Sequence, residues 1–527
     1  LVGYNYGSIT QSYASGDVSG QQSVGGLVGY NSGASINQSY ATGRVSGRGY
    51  RVGGLVGLNF NGSISQSYAT GDVSGAILEI GGLVGWNSGG PISQSYATGR
   101  VSGRAGQTGA LVGRNTGTLA GNYWNTETSG QAGAVGDGSD DGTTGLTTAQ
   151  MFDAANFLGF DFADIWANAD DQTTPYLRAL AGNRVFNKNV LPDGTIDATN
   201  RPALYTVIQN VEQLQAMRNN LTLNYLLGNH IDASATAGWN RGAGFVPVGD
   251  LDNRYTGDFD GMNYVIDGLT INRPSTDWVG LFGVVDSSHI SHIGLHNASI
   301  RGRQVVGGLI GHGFNTSQIS QSYVQGDIVG STSTGGLAGR FNGIIEHSYS
   351  SGDVESSGIC AGGLAGDMAG QIRDSYSTAS VKGMRDYVGG LVGEMNGSIS
   401  RSYATGRVEG LESVGGLVGS NFGSIDQSYA TGSVYGSTDE VLGGVGGLVG
   451  TNGNGGAISE SYATGSVEGE SFVGGLVGPI YGSINQSCAI GSVYGSLHFI
   501  GGLVGIVSTG TLTNSYWNTE TSGQTMA

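Results

Sequence analysis

The sequence predicts an all-β chain wound as a parallel β-helix, a solenoid of ~27–28-residue rungs with three short strands per rung. Three observations predict it. First, a Gly-Gly-Leu-Val-Gly motif starts at Gly25, Gly53, Gly81 and Gly109, 28 residues apart each time. It returns from Val279, then at Gly307, Gly335, Gly362, Gly389, Gly415, Gly446, Gly474 and Gly501, at spacings of 26 to 31. With the tail Leu1-Val2-Gly3 of an earlier copy, that makes five copies and then nine. Second, the consensus GGLVGxNxGSISQSYATGxVSG holds three β-type pieces separated by Gly and Asn. Third, the 527 residues include 100 Gly but 7 Pro, with 38% apolar and 12% charged residues. That balance excludes collagen, which needs Gly at every third residue, and it excludes disorder driven by high charge.

Each piece justifies its place in the rung. The Leu-Val, Ile-Ser-Gln-Ser-Tyr-Ala and Val-Ser-Gly segments are too short to bury a face alone, so successive units must stack, ~4.8 Å apart. Turns between them are expected where Gly and Asn supply positive φ. Stacking in register turns each consensus position into a ladder. Tyr13, Tyr40, Tyr68 and Tyr96 share one slot, continued by Tyr323, Tyr349, Tyr376, Tyr403, Tyr429 and Tyr462, which predicts an aromatic stack. Asn31, Asn59, Asn87 and Asn115 predict an amide ladder, repeated at Asn421 and Asn452. Asp17, Arg44, Asp72 and Arg100 alternate in sign at a third slot, each neighbouring pair contributing ~0.2–1 kcal/mol. These readings are structural.

The domain order follows the repeats: a first array over 1–121, a connector over 122–202, a capping and introductory segment over 203–278, and a second array over 279–527. Asn122-Tyr-Trp-Asn-Thr-Glu-Thr-Ser-Gly-Gln131 closes the first array and recurs almost unchanged over 515–524. In the connector, Thr147 to Phe152 reads as a short capped helix. Asn210-Val-Glu-Gln213 reads as a capping-box start for a helix around Leu214, covering the open end of the second array. Strand alternation resumes at Tyr255.

Charge and cysteine content narrow the function. Lys+Arg is 22 against Asp+Glu 40, a net charge of −18, with no basic cluster for nucleic acid or an anionic membrane. Cys360 and Cys488 make no disulfide framework, and stacked rungs would hold them too far apart to bond. No apolar run reaches the ~18 residues of a membrane span. The chain starts at Leu1 without Met or a leader, which reads as a processed or truncated segment.

At the level of these motifs the units resemble GLUG-motif repeats. The run from Trp239-Asn-Arg-Gly-Ala-Gly-Phe245 through Tyr255-Thr-Gly-Asp-Phe-Asp-Gly261 to Leu269-Thr-Ile-Asn-Arg-Pro-Ser275 resembles the region that introduces such repeats in large bacterial exoproteins. Among these are filamentous-haemagglutinin-like adhesins exported by two-partner secretion. The resemblance implies a right-handed β-helical shaft, extracellular or on a Gram-negative cell surface, serving adhesion, aggregation or biofilm. The partners it implies are other copies, neighbouring repeats of a longer chain, or host and neighbouring-cell surfaces or glycans. The repeats also resemble those flanking the catalytic domain of some immunoglobulin-cleaving metallopeptidases, but no His-Glu-x-x-His zinc motif occurs and that activity is not carried over.

Catalytic chemistry is sparse, and no enzyme, catalytic residue or cofactor is expected. Asp137-Gly-Ser-Asp-Asp-Gly142 reads as a solvated acidic turn. Asp137, Asp140 and Asp141 are the calcium candidates there, short of an EF-hand for want of a closing Glu. Asp327 and Asp353 sit one rung apart, near a retaining glycosidase's carboxylate spacing, but in Gly-Asp turns expected to face water. Asp258, Asp260 and Asp267 form the densest carboxylate group outside the acidic turn. His289, His292 and His296 with Asp286 form another cluster, with His289 and His292 expected on opposite strand faces. The rival readings are a carbohydrate-binding or carbohydrate-cleaving β-helix, marked by aromatics and carboxylates at non-consensus positions, and a spacer for an unseen enzyme.

Overall fold

A computed structural model describes every residue except Ala105, Asp170, 189–202, 438–442 and Ala527. One rung shows how the sequence makes the fold. Val52–Gly53, Val56–Phe60, Ser63–Ser65, Tyr68–Ala69 and Val73–Gly75 are five short strands, where three pieces were expected. The middle piece is split because Gln66 adopts φ +48 and turns the chain between Ser65 and Tyr68. Every strand pairs in parallel with its counterpart a repeat away: Val28, Val56, Val84 and Val112 in one ladder, Ile9, Ile36, Ile64, Ile92 and Leu119 in another. The parallel β-solenoid expected from the repeat is the fold observed.

The consensus glycines work differently from the expectation. Positive φ falls on Gly33, Asn61 and Gly89 in one turn, as expected, but also on Gln11, Gln38, Gln66 and Gln94 and on Ser23, Arg51 and Glu79, and not on the Gly-Gly pair. That pair is there for space. A Cβ on Gly53 would lie 2.0 Å from the Val56 carbonyl oxygen, and one on Gly54 would lie 2.0 Å from that of Gly82 in the next rung. No side chain fits where the rung folds over its own backbone.

The chain divides into two units, Leu1–Ile208 and Gln209–Ala527. In the first, Leu27, Leu55, Leu83 and Leu111 join the Val, Ile and Ala ladders in one core, each of these leucines fully buried. A second core of Val24, Val45, Val52, Val73, Ile80 and Val101 fills the corner beside it. Each fully buried side chain of this size contributes about 1.5–3 kcal/mol. The ladder runs past the expected end at residue 121. Asn122–Asn125 pairs with Tyr96–Ala97, and Thr143–Leu146 pairs with Asn122–Asn125. Tyr123 takes the next place in the Tyr slot, so pairing continues although the Gly-Gly motif has stopped. Beyond it, Thr147 Oγ1 accepts from the Gln150 amide and Gln150 Oε1 from the Thr147 amide, the reciprocal cap of a short 3₁₀ turn, Gln150–Phe152. Arg184–Phe186 pairs antiparallel with Leu204–Ile208, so this unit ends six residues beyond the connector boundary expected at 202.

The second unit opens with the helix Val211–Ala216, capped by Asn210, whose side chain accepts from the Gln213 amide. Gln215 pins it by a two-way pair with the Val246 backbone, at 3.0 and 2.8 Å. Parallel pairing begins at Asn224–Leu227, one turn before Tyr255, because Tyr225 and Leu226 already register with Phe259 and Asp260. Nine strands from Phe282–Asp286 to Val504–Val507 form one face of the array and eight, from Val306–Gly307 to Ile500–Gly501, another. No helix among the described residues is long and apolar enough to cross a membrane.

Candidate functional site

The expected tyrosine and asparagine ladders are present, and the buried amides are directed inward, at the next rung. Each buried Asn donates along the stack: Asn31 to Asn59 at 2.8 Å, Asn59 to Asn87 at 2.8 Å, Asn87 to Asn115 at 2.9 Å. The second proton of Asn59 reaches the Gly62 carbonyl at 2.8 Å, so the amide closes its own turn as well. Asn421 donates to Asn452 in the same way at 2.8 Å.

Two ladders were not anticipated. Gln11, Gln38, Gln66 and Gln94 chain their amides at 3.0, 3.2 and 3.2 Å. These are the residues held at positive φ, a conformation costing a non-glycine residue about 1–2 kcal/mol, which the shared amide bonds offset. In the other, each Ser hydroxyl accepts from the Ser amide of the preceding rung, as in Ser39 to Ser67 and Ser67 to Ser95, both 3.1 Å. The repeated Ser-Gln-Ser-Tyr was the available signal for both.

The charge slot corrects an expectation. Asp17 Oδ1 accepts from the Arg44 backbone amide at 2.7 Å, and Asp72 Oδ1 from that of Arg100 at 2.9 Å. The short Asp meets the next rung's backbone where an ion pair between side chains was expected. Side-chain ion pairs form one corner away, where Glu79 lies between Arg51 at 3.3 Å and Arg114 at 3.8 Å, and both guanidiniums flank the Trp86 ring.

The tyrosine ladder differs between the units. In the first, Tyr13, Tyr40, Tyr68 and Tyr96 stack with centroids 4.8–5.1 Å apart. Tyr13 is 42% exposed, but Tyr40, Tyr68 and Tyr96 are fully buried beneath Met151, Phe157, Phe160, Trp166, Leu177 and Leu180. Burial drives the Tyr40, Tyr68 and Tyr96 hydroxyls well above the ordinary tyrosine range. In the second, the rings from Tyr323 to Tyr462 stack 4.8–4.9 Å apart within 4° of parallel, and each remains partly or fully exposed.

The acidic turn holds no convergent site. Asp137 is engaged by Arg114 at 3.3 Å, Asp141 Oδ2 accepts from Ser139, and the Asp140 carbonyl accepts from Thr143. No group of three or more His, Cys, Asp or Glu side chains among the described residues is placed to hold a metal ion. Asp327 and Asp353 are exposed, as expected, but they lie on the strands Tyr323–Gly330 and Asp353–Ser356 and not in the turns expected for them.

The structure regroups the histidine cluster. His292 has φ +51, so strand alternation does not apply to it, and its Nδ1 lies 3.2 Å from Asp260 Oδ1. Burial disfavours its charged form, but the Asp260 contact outweighs this and raises its pKa. His289 Nε2 lies 2.7 Å from Ser320 Oγ, and burial lowers the His289 pKa despite nearby Asp258 and Asp260. His296 Nδ1 lies 2.9 Å from Asp267. Asp286, expected with these histidines, is held instead by Arg254 at 3.0 Å. Each carboxylate is thus tied to a neighbouring rung.

A cleft of about 590 Å³ opens at the start of the second unit, with Arg218, Asn219, Asp250, Asp277 and Trp278 in its wall. Its two carboxylates are already committed. The Arg303 guanidinium grips Asp277 and holds its carboxyl below the usual range, while Asp250 accepts from the Asp252 and Asn253 amides. Cys360 and Cys488 are free thiols.

Comparison with known proteins bears on the repeats. Residues 20–46, 48–74, 410–435 and 442–468 match the family model described as the GLUG motif, so the chain carries GLUG-motif repeats. Halomucin from Haloquadratum walsbyi is 36% identical over 144 residues, 25% of this chain and 2% of that protein. A protein named as a Gly-rich membrane protein, from Evansella cellulosilytica, is 35% identical over 97 residues, 18% of this chain and 11% of that protein. The chain therefore spans a small part of the curated relatives it matches, and neither of these two carries a filamentous-haemagglutinin name. Among solved structures, a Bacteroides ovatus protein described as an immunoglobulin A1 protease aligns with 63% of this chain and 86% of its own, at 21% identity and TM-score 0.35. A second, described as an IgA1 protease, aligns with 67% and 25%, at 15% identity and TM-score 0.27.

Proposed function

From GLUG-motif repeats wound into a parallel β-solenoid, we propose that this chain is a non-catalytic structural shaft of a secreted surface adhesin or extracellular fibre. One observation carries the reading: the recurring polar side chains of the rungs are spent on the next rung. Asn, Gln, Ser and Asp ladders fix the stacking register, and among the described residues no group of three or more His, Cys, Asp or Glu is placed to hold a metal ion. The halomucin match and the likeness of the introductory segment to filamentous-haemagglutinin-like exoproteins of Gram-negative bacteria support a place outside the cell or on its surface. The net charge of −18 disfavours nucleic acid as a partner and suits a solvated shaft. Its partners in this reading are other copies, adjoining repeats, or cell-surface glycans and proteins. The test is display of the chain on a non-adherent cell. The expected result is aggregation or attachment that soluble chain competes away; unchanged attachment contradicts the adhesin reading.

The Trp278 cleft favours a second reading, carbohydrate binding. It offers an indole, amides and a guanidinium at non-consensus positions, the mixture that grips a sugar ring. With Asp250 and Asp277 engaged internally, this would be binding without hydrolysis. A glycan array with the wild-type chain and Trp278→Ala tests it. Polysaccharide-derived reducing ends appearing with wild type but not with Asp258→Asn would overturn the non-catalytic assignment.

A further inference from the structure

We infer that the tyrosine face of the second unit is a docking groove for an aromatic-rich polypeptide segment with the chemistry of residues 147–187 of this chain. The first unit supplies the template. There the same face, built from the same consensus slot, is occupied. Phe157 meets Tyr96 edge-on at 6.2 Å, Phe160 meets Tyr123 edge-on at 5.5 Å, and Trp166 sits 6.1 and 5.9 Å from Tyr68 and Tyr96. The hydroxyls then read the segment's polar groups. Tyr40 donates to the Ala181 carbonyl, Tyr96 to that of Pro175, Tyr68 to Asn183 Oδ1 at 2.5 Å, and Tyr123 to the Leu158 carbonyl at 3.3 Å.

The second unit presents the same two devices, uncovered. Tyr323 to Tyr462 keep the ring spacing of the first unit, and Tyr462 is 37% exposed. Thr405, Thr431 and Thr464, two residues beyond their tyrosines, are exposed, where Thr42, Thr70 and Thr98 of the first unit are buried. The two ladders also end alike. Tyr123 pairs with Tyr96, and Asn125 then accepts from the Glu127 and Thr128 amides. Tyr516 pairs with Cys488, and Asn518 accepts from the Glu520 and Thr521 amides.

Ring geometry selects the occupant. Because both faces of Tyr349, Tyr376, Tyr403 and Tyr429 are closed by neighbouring rings 4.8–4.9 Å away, a sugar cannot stack on them. Ring edges and hydroxyls are what remain, and these suit aromatic side chains meeting them edge-to-face and backbone carbonyls accepting from them.

The experiment adds a fluorescent synthetic peptide of residues 147–187 to the full chain, whose own copy occupies the first unit. Anisotropy is expected to report saturable binding, weakened at least tenfold by Tyr403→Ser/Tyr429→Ser. The exposed pair Thr405→Glu/Thr431→Glu, which leaves the ring stack intact, is expected to weaken it comparably, with an unchanged circular dichroism spectrum confirming the fold. Absence of binding overturns the inference. So does binding that both double variants leave undiminished, since the peptide would then be exchanging into the first unit or adhering elsewhere.

Discussion

Asn59→Leu probes whether the inward ladders hold the rungs in register. Asn59 is fully buried and makes three hydrogen bonds of 2.8 Å: one accepted from Asn31, one donated to Gly62 and one donated to Asn87. Leucine preserves the bulk and removes all three. Asn31 keeps its bond to the Ala34 carbonyl at 2.9 Å but loses a partner for its second proton, and the Gly62 carbonyl and Asn87 Oδ1 lose their donors. A buried polar group left unpaired costs about 1–3 kcal/mol, so three such groups predict a loss of about 3–6 kcal/mol after partial relaxation. Asn59→Asp should be similarly destabilising at neutral pH, because it still accepts from Asn31 but turns a carboxylate oxygen toward Asn87 Oδ1. Guanidinium denaturation followed by far-UV circular dichroism measures both, read on the transition of the first unit. A loss below about 1 kcal/mol in both variants would refute the claim that these amides are paired along the stack.

Tyr68→Phe should destabilise the first unit by about 1–2 kcal/mol, because it strips a buried hydroxyl from Asn183, while Tyr403→Phe on the partly exposed face should change stability by less than about 0.5 kcal/mol. Chemical denaturation of the two variants compares them. Acidification should weaken the second unit through His312, whose pKa burial and the nearby Arg340 and Arg254 push down to about 4. The unfolded chain takes up that proton near pH 6.5, so stability falls as pH drops from 6.5 toward 4, by up to about 3 kcal/mol. His292, with its pKa raised by Asp260, acts in the opposite sense: its contribution is present in acid and fades as pH rises through its folded pKa. His312→Gln should flatten the acid limb, as measured by denaturation midpoints across that range. Thiol labelling should be biphasic, with half-buried Cys488 reacting first and Cys360, buried and with its thiol pKa driven up by burial and by Glu394, reacting only on unfolding.

The repeat made the solenoid and its two named ladders readable, because a fixed period puts Tyr68 beside Tyr96 and Asn59 beside Asn87 without any knowledge of the turns. What hid was local. A lone Gln carries no turn signature, so the kink at Gln66 that splits the strand could not be told from an extended residue. Glycine between the pieces suggested torsional freedom, but the Gly-Gly pair answers a need for clearance, since a Cβ on Gly53 would lie 2.0 Å from a carbonyl oxygen. His292 escaped strand alternation for the same reason as Gln66. The cover over the first tyrosine ladder lies in non-repetitive sequence, where no neighbouring copy announces a partner. Its only signal was the aromatic run Phe152, Phe157, Phe160, Phe162 and Trp166. Of the candidate site residues, the tyrosine and asparagine ladder positions landed where the register put them, while Asp137, Asp140 and Asp141 were read from their spacing in one turn, which says nothing of convergence.

The most direct test of a stacked shaft is a distance measured along it. Gln325 and Ile490 are exposed and occupy one slot, separated by the six strand steps that link Tyr323, Tyr349, Tyr376, Tyr403, Tyr429, Tyr462 and Cys488. Spin labels there, in a Cys360→Ser/Cys488→Ser background, should lie about 29 Å apart by pulsed electron resonance, before allowance for linkers. Deleting residues 390–415 joins Gly389 to Gly416, which removes one rung and should shorten that distance by about 5 Å with the β-sheet signal retained. An unchanged distance, or loss of structure on removing that single rung, would contradict the account.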